Sequence, residues 1–314
     1  MKRRWLLRLR LILFCVFISS ALFACYGAQR HSAAGALWEA PRDHKAWVEQ
    51  TLKQLTLEEK VGQMLQIRVY GDYQAFTEPD YAIIRDQIQK YHIGSVDLDA
   101  RMFGPNLVKG TPVQVATVLN RLQHDSELPL LVGADIERGL ASRVSDTPEF
   151  PFPMGFGATG DPTLVEKFGA IVAEEARAVG IDWAYAPVAD VNSNPENPII
   201  NDRAFGEDPH AVAELVAAYI RGVHEGGMLV AVKHFPGEGD TSSDPHVRIT
   251  RIDADQEHFD HFELPPFRSA IQAGADSVMV AQVPGHPFAA FAKGWERAAL
   301  QVFSYHGWLQ SKYI

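Results

Sequence analysis

The stretch that says most about the fold is Met228 to His246, which has the sequence MLVAVKHFPGEGDTSSDPH. It begins with an apolar run, Met228 to Val232, that predicts a buried β-strand. A cationic pair, Lys233-His234, follows the strand, and a Gly- and Pro-rich loop then leads to an Asp-x-His pair, Asp244 and His246. Because α/β proteins build active sites at the carboxyl ends of strands, the stretch predicts a site on a flexible loop at the edge of a parallel sheet.

The rest of the chain alternates helical and strand patterns. A capping box at Thr56 opens a short helix, and the other helices are predicted over 45–55, 81–91, 111–126, 161–179, 208–223 and 264–273. Apolar strands are predicted over 64–69, 93–98, 130–135, 183–188, 228–233 and 277–283. Helices separate these strands and there are no hairpin signals, so the pattern predicts a parallel sheet.

The predicted fold class is α/β, of the (β/α)8 TIM-barrel type, incomplete, with about six βα units recognisable. Polar side chains occur where strands end, as the rim of such a barrel requires: Asp135, Asp190, Lys233, His234 and Gln282. Periodicity alone leaves an open doubly wound sheet as an alternative. No phosphate-binding glycine fingerprint follows the first strand, which disfavours nucleotide binding.

Composition and charge narrow the function classes. The chain of 314 residues is 46% hydrophobic and 22% charged, which is ordinary for a globular enzyme. Its net charge of -10 argues against a nucleic-acid partner. We expect a monomer.

The first residues predict export. Basic residues from Lys2 onward precede and interrupt an apolar run, 11–23, that is too short for a comfortable transmembrane helix. We expect a signal peptide over 1–24, a linker over 25–42, and a periplasmic, extracellular or lipid-anchored protein. Cys25 follows a weak lipoprotein cleavage box, and ordinary cleavage nearby is the alternative. The other cysteine, Cys15, lies inside the signal, so the mature protein can form no internal disulfide.

Four local patterns carry a resemblance to a known family. They are TLEEKVGQM from Thr56, DIERG from Asp135, RAFGEDP from Arg203, and the loop from Lys233 to His246. Residues 43–283 resemble the N-terminal barrel of glycoside hydrolase family 3, and most closely its β-N-acetylglucosaminidase branch. Residues 284–314 form an atypical tail.

The resemblance implies a sugar-binding role for Asp135, Arg203, Lys233 and His234. The chemistry is suitable, because a carboxylate accepts hydrogen bonds from adjacent hydroxyls while Arg and Lys donate to others. Without the resemblance, Asp135 could equally cap a loop and Arg203 could form a surface ion pair. Asp190 and Asn192 could line the rim or form a turn.

The resemblance also implies that Asp244 and His246 act as the general acid/base dyad. Imidazole titrates near neutral pH, and a neighbouring carboxylate orients it and favours its protonated form. Glu238 stands where the branch commonly has histidine and is a second acid/base candidate. Pro245 between the dyad members restrains Asp244 toward extended geometry. The spacing of these acids and histidines matches no common metal motif, so we predict no metal and no cofactor.

A retaining glycosidase also needs a nucleophilic carboxylate, and nothing after Val283 resembles the family's segment for it. We therefore expect a lost or frameshifted C-terminal part. The leading hypothesis is a retaining β-N-acetylhexosaminidase acting on cell-wall or chitin-derived saccharides, inactive if the nucleophile is absent. A β-glucosidase of the same family and a non-catalytic carbohydrate-binding remnant are the alternatives.

Overall fold

The computed structural model describes residues 44–73, 78–242, 256–281 and 302–303. The expected signal peptide, Cys25, the linker, the pair Asp244 and His246, and most of the tail lie outside these ranges. The chain divides into two compact units, 1–55 and 56–314. Among the described residues, no helix has the length and apolar character needed to span a bilayer.

The helices begin where local capping rules place them. Thr56 and Thr111 form capping boxes, and the side chains of Asp161 and Asp208 accept hydrogen bonds from the first turn of their helices, each of which has Pro at its start. The first unit contains α1 (His44–Gln54). The second contains α2 (Leu57–Gln63), α3 (Pro79–Tyr91), α4 (Pro112–Asp125), α5 (Pro153–Gly157), α6 (Pro162–Ala178), α7 (Pro209–Glu225), α8 (Gln256–His258) and α9 (Leu264–Gln272), with a π-helical turn, Phe259–Glu263, between the last two.

The described strands are β1 (Gln66–Tyr70), β2 (Ser95–Asp99), β3 (Arg101–Phe103), β4 (Asn106–Val108), β5 (Leu131–Ala134), β6 (Trp183–Ala184), β7 (Leu229–Phe235), β8 (Ser277–Val280) and β9 (Val302–Phe303). Seven of them form one parallel sheet in the order β1-β2-β5-β6-β7-β8-β9. The strands follow one another around the sheet in chain order, which is the winding of a β/α barrel and not that of a doubly wound sheet, where the order reverses. Within the described strands, no pairing joins β9 to β1.

The six predicted strands are present in the sheet, and a short seventh strand, β9, lies beside them. β9 pairs with β8 through Val278 with Val302 and Met279 with Phe303. Its two residues lie in a segment too poor in apolar alternation for the pattern to be recognised. β6 is also shorter than predicted because Pro187 has no N–H to give to the ladder, which resumes only as a single bridge between Val188 and Lys233.

The described residues contain one hairpin that no sequence signal indicated. Strands β3 (Arg101–Phe103) and β4 (Asn106–Val108) pair antiparallel directly after β2. The turn between them is Gly104-Pro105, and the φ of +59° at Gly104 is a left-handed conformation that glycine adopts without a steric cost. The strands are too short for alternation to have revealed them.

The core lies between the sheet and the helices. α6 and α7 pack against each other closely enough that a Cβ at Gly222 would lie 1.9 Å from the carbonyl oxygen of Glu166. The central strands are buried on both faces, as parallel strands covered by helices must be. This packing fixes the carboxyl ends of β5 and β7, where the charged residues lie.

Candidate active site

Lys233 is the centre of a buried charge cluster at the carboxyl ends of the strands. Its side chain is 2% exposed, and its Nζ pairs with a carboxylate oxygen of Asp135 and, at 2.5 Å, with Oε1 of Glu137. Asp135 and Glu137 directly follow β5, whereas Lys233 lies in β7. Such a buried ammonium is tolerated because both carboxylates compensate its charge.

Arg203 completes this part of the cluster. Its guanidinium makes a two-pronged contact with Glu137, through Nε at 2.9 Å and Nη2 at 2.8 Å, and Nη1 donates to the carbonyl oxygen of Ile199 at 2.9 Å. This geometry is the strongest that an Arg–carboxylate pair adopts. Burial alone would raise the pKa of Glu137, but Lys233 and Arg203 outweigh it and hold the pKa well below its ordinary value. Glu137 is therefore ionised at neutral pH.

Asp135 also takes part in a second series of ion pairs, which runs through Arg143 and Asp99 to Arg68. Its other oxygen accepts from Nη2 of Arg143 at 3.2 Å, and Nε of Arg143 lies 3.1 Å from Oδ1 of Asp99. Arg68 of β1 lies 3.3 Å from Asp99. Burial raises the pKa of Asp135, but Lys233 and Arg143 outweigh that effect and lower it. An ionised Asp135 can accept hydrogen bonds from a ligand.

Asp97, on β2, lies beside this series of ion pairs and is 6% exposed. Burial, then the charges of Asp135 and Asp99, raise the pKa of Asp97 to about 7. Asp97 therefore carries a proton for much of the time near neutral pH, which lowers the net negative charge of the site.

His234 is held by Asp190, which is fully buried. Oδ2 of Asp190 lies 2.8 Å from Nδ1 of His234 and accepts from its backbone N–H at 3.2 Å, while Oδ1 accepts from the backbone N–H of Glu238 at 2.7 Å. A carboxylate only accepts, so Nδ1 carries the proton and Nε2 is the ring atom that Asp190 does not hold. Asp190 fixes both the ring and the start of the loop.

The described part of the loop after β7 is packed rather than loose. Nδ2 of Asn197 donates to the carbonyl oxygens of Glu238 and Gly239 at 2.7 and 2.9 Å. A Cβ at Gly239 would lie 1.6 Å from the carbonyl oxygen of Val191, so only glycine fits there. The side chain of Glu238 is buried, and its Oε2 lies 3.9 Å from Nδ1 of His234.

The structure brings together Asp135, Arg203, Lys233 and, through Asp190, the adjacent His234. Asn192 follows Asp190 by two residues and is buried. Its Oδ1 has no hydrogen-bond partner among the described residues. In the same part of the chain, no group of three or more His, Cys, Asp or Glu side chains could hold a metal ion. The pair Asp244 and His246 lies outside the described residues.

Five residues of these ion pairs were not predicted from the sequence. Glu137 lies in the DIERG pattern and Arg143 four residues after it, and Arg68 lies in the first predicted strand. Asp97 lies in the second predicted strand and Asp99 directly follows it. The acidic end of that strand, SVDLD, was a usable signal for the last two.

The protein is an α/β barrel of the TIM type whose strand ends carry paired acidic and basic side chains. The predicted fold class is therefore confirmed. The model of the "Glycosyl hydrolase family 3 N terminal domain" matches residues 56–292. The chain belongs to glycoside hydrolase family 3, as its sequence patterns indicated.

Named relatives agree with this assignment. The chain is 32% identical to the "Beta-N-acetylglucosaminidase/beta-glucosidase" of Cellulomonas fimi over 77% of its own length and 40% of that protein. It is 34% identical to the "Beta-hexosaminidase A" of Pseudoalteromonas piscicida, over 72% of this chain and 40% of the relative. The chain thus spans less than half the length of these relatives.

Solved structures give the same result. A glycoside hydrolase family 3 β-N-acetylglucosaminidase from Paenibacillus sp. str. FPU-7 superposes with a TM-score of 0.65 at 34% identity, covering 73% of this chain and 42% of that one. The β-N-acetylhexosaminidase from Beutenbergia cavernae superposes with a TM-score of 0.64 at 28% identity, covering 73% and 68%.

Proposed function

We propose that this barrel binds a terminal β-linked N-acetylhexosamine of an oligosaccharide and takes part in hydrolysing its glycosidic bond with retention of configuration. The observation that carries the proposal is the cluster of Asp135, Lys233, Glu137 and Arg203 at the strand ends. Membership of family 3 and the names of the relatives support the choice of sugar.

The cluster has the chemistry that a neutral polyol requires. Ionised Asp135 accepts hydrogen bonds from two adjacent hydroxyls, and Lys233, already oriented by Asp135 and Glu137, donates to a ring substituent. His234 offers Nε2 because Nδ1 is held by Asp190. Since these groups orient one another before any ligand arrives, little side-chain entropy is lost on binding.

In this proposal, His246 protonates the leaving oxygen and later takes a proton from water, with Asp244 orienting the ring. Both follow the loop whose start is fixed by Asp190 and Asn197. Double displacement also requires a carboxylate nucleophile on the opposite side of the sugar. We propose no nucleophile among the residues that the structure describes.

A β-glucosidase is the second candidate, because the printed name of the Cellulomonas fimi relative includes that activity. The purified chain should be assayed with an aryl N-acetyl-β-glucosaminide and an aryl β-glucoside, and binding of both sugars should be measured by calorimetry. Turnover of the first substrate supports the proposal, and preference for the second supports the glucosidase. Binding without turnover identifies a non-catalytic carbohydrate-binding barrel.

Where the purified chain turns over the first substrate, the proton-transfer role is tested with His246→Ala in the same assay. We expect at least a hundredfold fall in kcat/KM, because general acid–base catalysis typically contributes about 10² to 10⁴ in rate. The matched control is His124→Ala, since His124 is 83% exposed on α4. Equal activity of both variants and the wild type would refute the role of His246.

We also propose that the protein is exported as a monomer and acts on cell-wall fragments in peptidoglycan recycling, either free in the periplasm or outside the cell or anchored by a lipid on Cys25. The basic and apolar pattern of residues 1–24 supports export. Mass spectrometry of the mature N terminus tests it: a diacylglyceryl group on Cys25 supports anchoring, and an uncleaved N terminus contradicts export.

A further inference from the structure

The β3–β4 hairpin exposes an apolar surface that the site as described does not use. Met102 is 64% exposed, Phe103 75%, Leu107 47% and Val108 39%. No charged residue occurs between Arg101 and Lys109. The hairpin therefore exposes apolar side chains on both of its faces, and such exposed apolar groups are candidate binding surfaces.

The base of this hairpin is firmly held although its tip is exposed. Nε of Arg101 donates to Asp72 at 3.1 Å, and its guanidinium lies 4.4 Å from the ring centre of Tyr70. Directly after β4, Nζ of Lys109 donates to the carbonyl oxygen of Ala141 at 2.6 Å. The hairpin is therefore anchored at both sides of its base.

Arg101 connects one face of the hairpin to the strand face that carries the ion pairs of the site. Tyr70 is aligned with Asp99 in the β1–β2 register and shares its side of β1 with Arg68, which pairs with Asp99. Arg101 lies over Tyr70 and hence on that side. Phe103 is the next residue on that side of β3, because alternate residues of a strand share a face.

The same face pairs an aromatic ring with an amide. Phe103 is directly opposite Asn106 in the β3–β4 register, and Met102 is opposite Leu107 on the other face. An aromatic surface covers the C–H face of a pyranose, and an adjacent amide donates to and accepts from its hydroxyls. The absence of charge favours a neutral ligand.

We propose that Phe103 and Asn106 bind the leaving-group sugar of the substrate, the ring on the reducing side of the bond that is cut. The proposal rests on the proposed function, because it places this ring beside a terminal sugar held at Asp135. The hairpin then selects oligosaccharides over monosaccharides.

The experiment compares the binding of N-acetylglucosamine and of N,N′-diacetylchitobiose by calorimetry. Phe103→Ala should raise the Kd of the disaccharide about tenfold and leave the Kd of the monosaccharide unchanged, and Asn106→Ala should act in the same direction. Met102→Ala is the control, since it removes a similarly exposed apolar side chain from the opposite face. Unchanged melting temperatures establish that the three variants are folded.

Each other outcome overturns the proposal in a distinguishable way. Equal weakening of both sugars by Phe103→Ala, or of the disaccharide by Met102→Ala, contradicts a leaving-group site on this face. If the hairpin variants change only the sedimentation coefficient, the surface joins two copies of the chain. If the wild type binds neither sugar, the proposed function itself fails.

Discussion

The replacement of Asp97 by Asn offers a quantitative test of the electrostatics of the site. The carboxyl group is buried among charged groups of β1, β2 and the loop after β5. Burial, then Asp135 and Asp99, raise the pKa of Asp97 from 3.8 to about 7, although Arg68 and Arg143 act in the opposite direction. Asp97→Asn keeps the shape of the side chain and removes its titration.

The sign of the effect follows from the two pKa values. Between them the folded state binds more protons than the unfolded state, so stability falls as the pH rises from about 4 to about 7. One pKa unit corresponds to about 1.4 kcal/mol, so the full rise amounts to about 4 kcal/mol. That is a large share of the typical stability of a domain, about 5–15 kcal/mol.

The assay is urea unfolding of the wild type and Asp97→Asn at half-unit steps from pH 4 to 9. Relative to the wild type, the variant should gain stability steadily up to about pH 7 and then remain constant, with a total change of about 4 kcal/mol. Asp86→Asn, at an exposed position of α3, is the control and should follow the wild type throughout. A constant difference between wild type and Asp97→Asn over the whole range would refute the reasoning.

Three further replacements test other contacts by chemical unfolding. Glu137→Gln should lower the free energy of unfolding by about 3 kcal/mol, because it leaves two buried cations without their shared partner. Glu166→Gln, at an exposed ion pair, should lower it by less than about 1 kcal/mol. Equal losses in the two variants would contradict this prediction. Gly239→Ala should lower the free energy of unfolding by about 1–3 kcal/mol, because the added methyl group overpacks the loop. Gly206→Ala should lower it much less, because the space around Gly206 is open. The reverse order would show that the loop is not packed as described. Glu263→Gln should gain stability relative to the wild type as the pH rises from 4.5 to about 8. The reason is that burial and two nearby acids raise the pKa of Glu263 to about 8. A stability difference that does not depend on pH would contradict that cause.

Much of the fold could be predicted because the relevant physics is local. Capping residues such as Thr56 and Asp161 satisfy backbone donors within their own helix, so they mark helix starts without knowledge of the tertiary structure. Buried parallel strands appear as apolar runs because helices cover both faces of the sheet. The short elements, the hairpin after β2 and the two-residue strand β9, carry too few residues for a period to be recognised.

The candidate site could be predicted only in part, because its partners are distant in sequence. Lys233 and Asp135 are 98 positions apart, and their contact depends on the order and register of the strands between them. The sequence indicated the residue types at strand ends, but it could not indicate that Glu137 binds two cations at once. That knowledge requires the geometry of Arg203, which reaches Glu137 from an irregular segment.

Asp190 imposes a constraint on how this protein can diverge. One carboxylate serves both the imidazole of His234 and the first turn of the following loop. A replacement that retunes the ring for a different ligand must therefore also release Glu238, and a longer or shorter loop must disturb the ring. The orientation of the ring and the position of the loop are therefore coupled, so a change that affects only one of them must lie at a position that Asp190 does not contact.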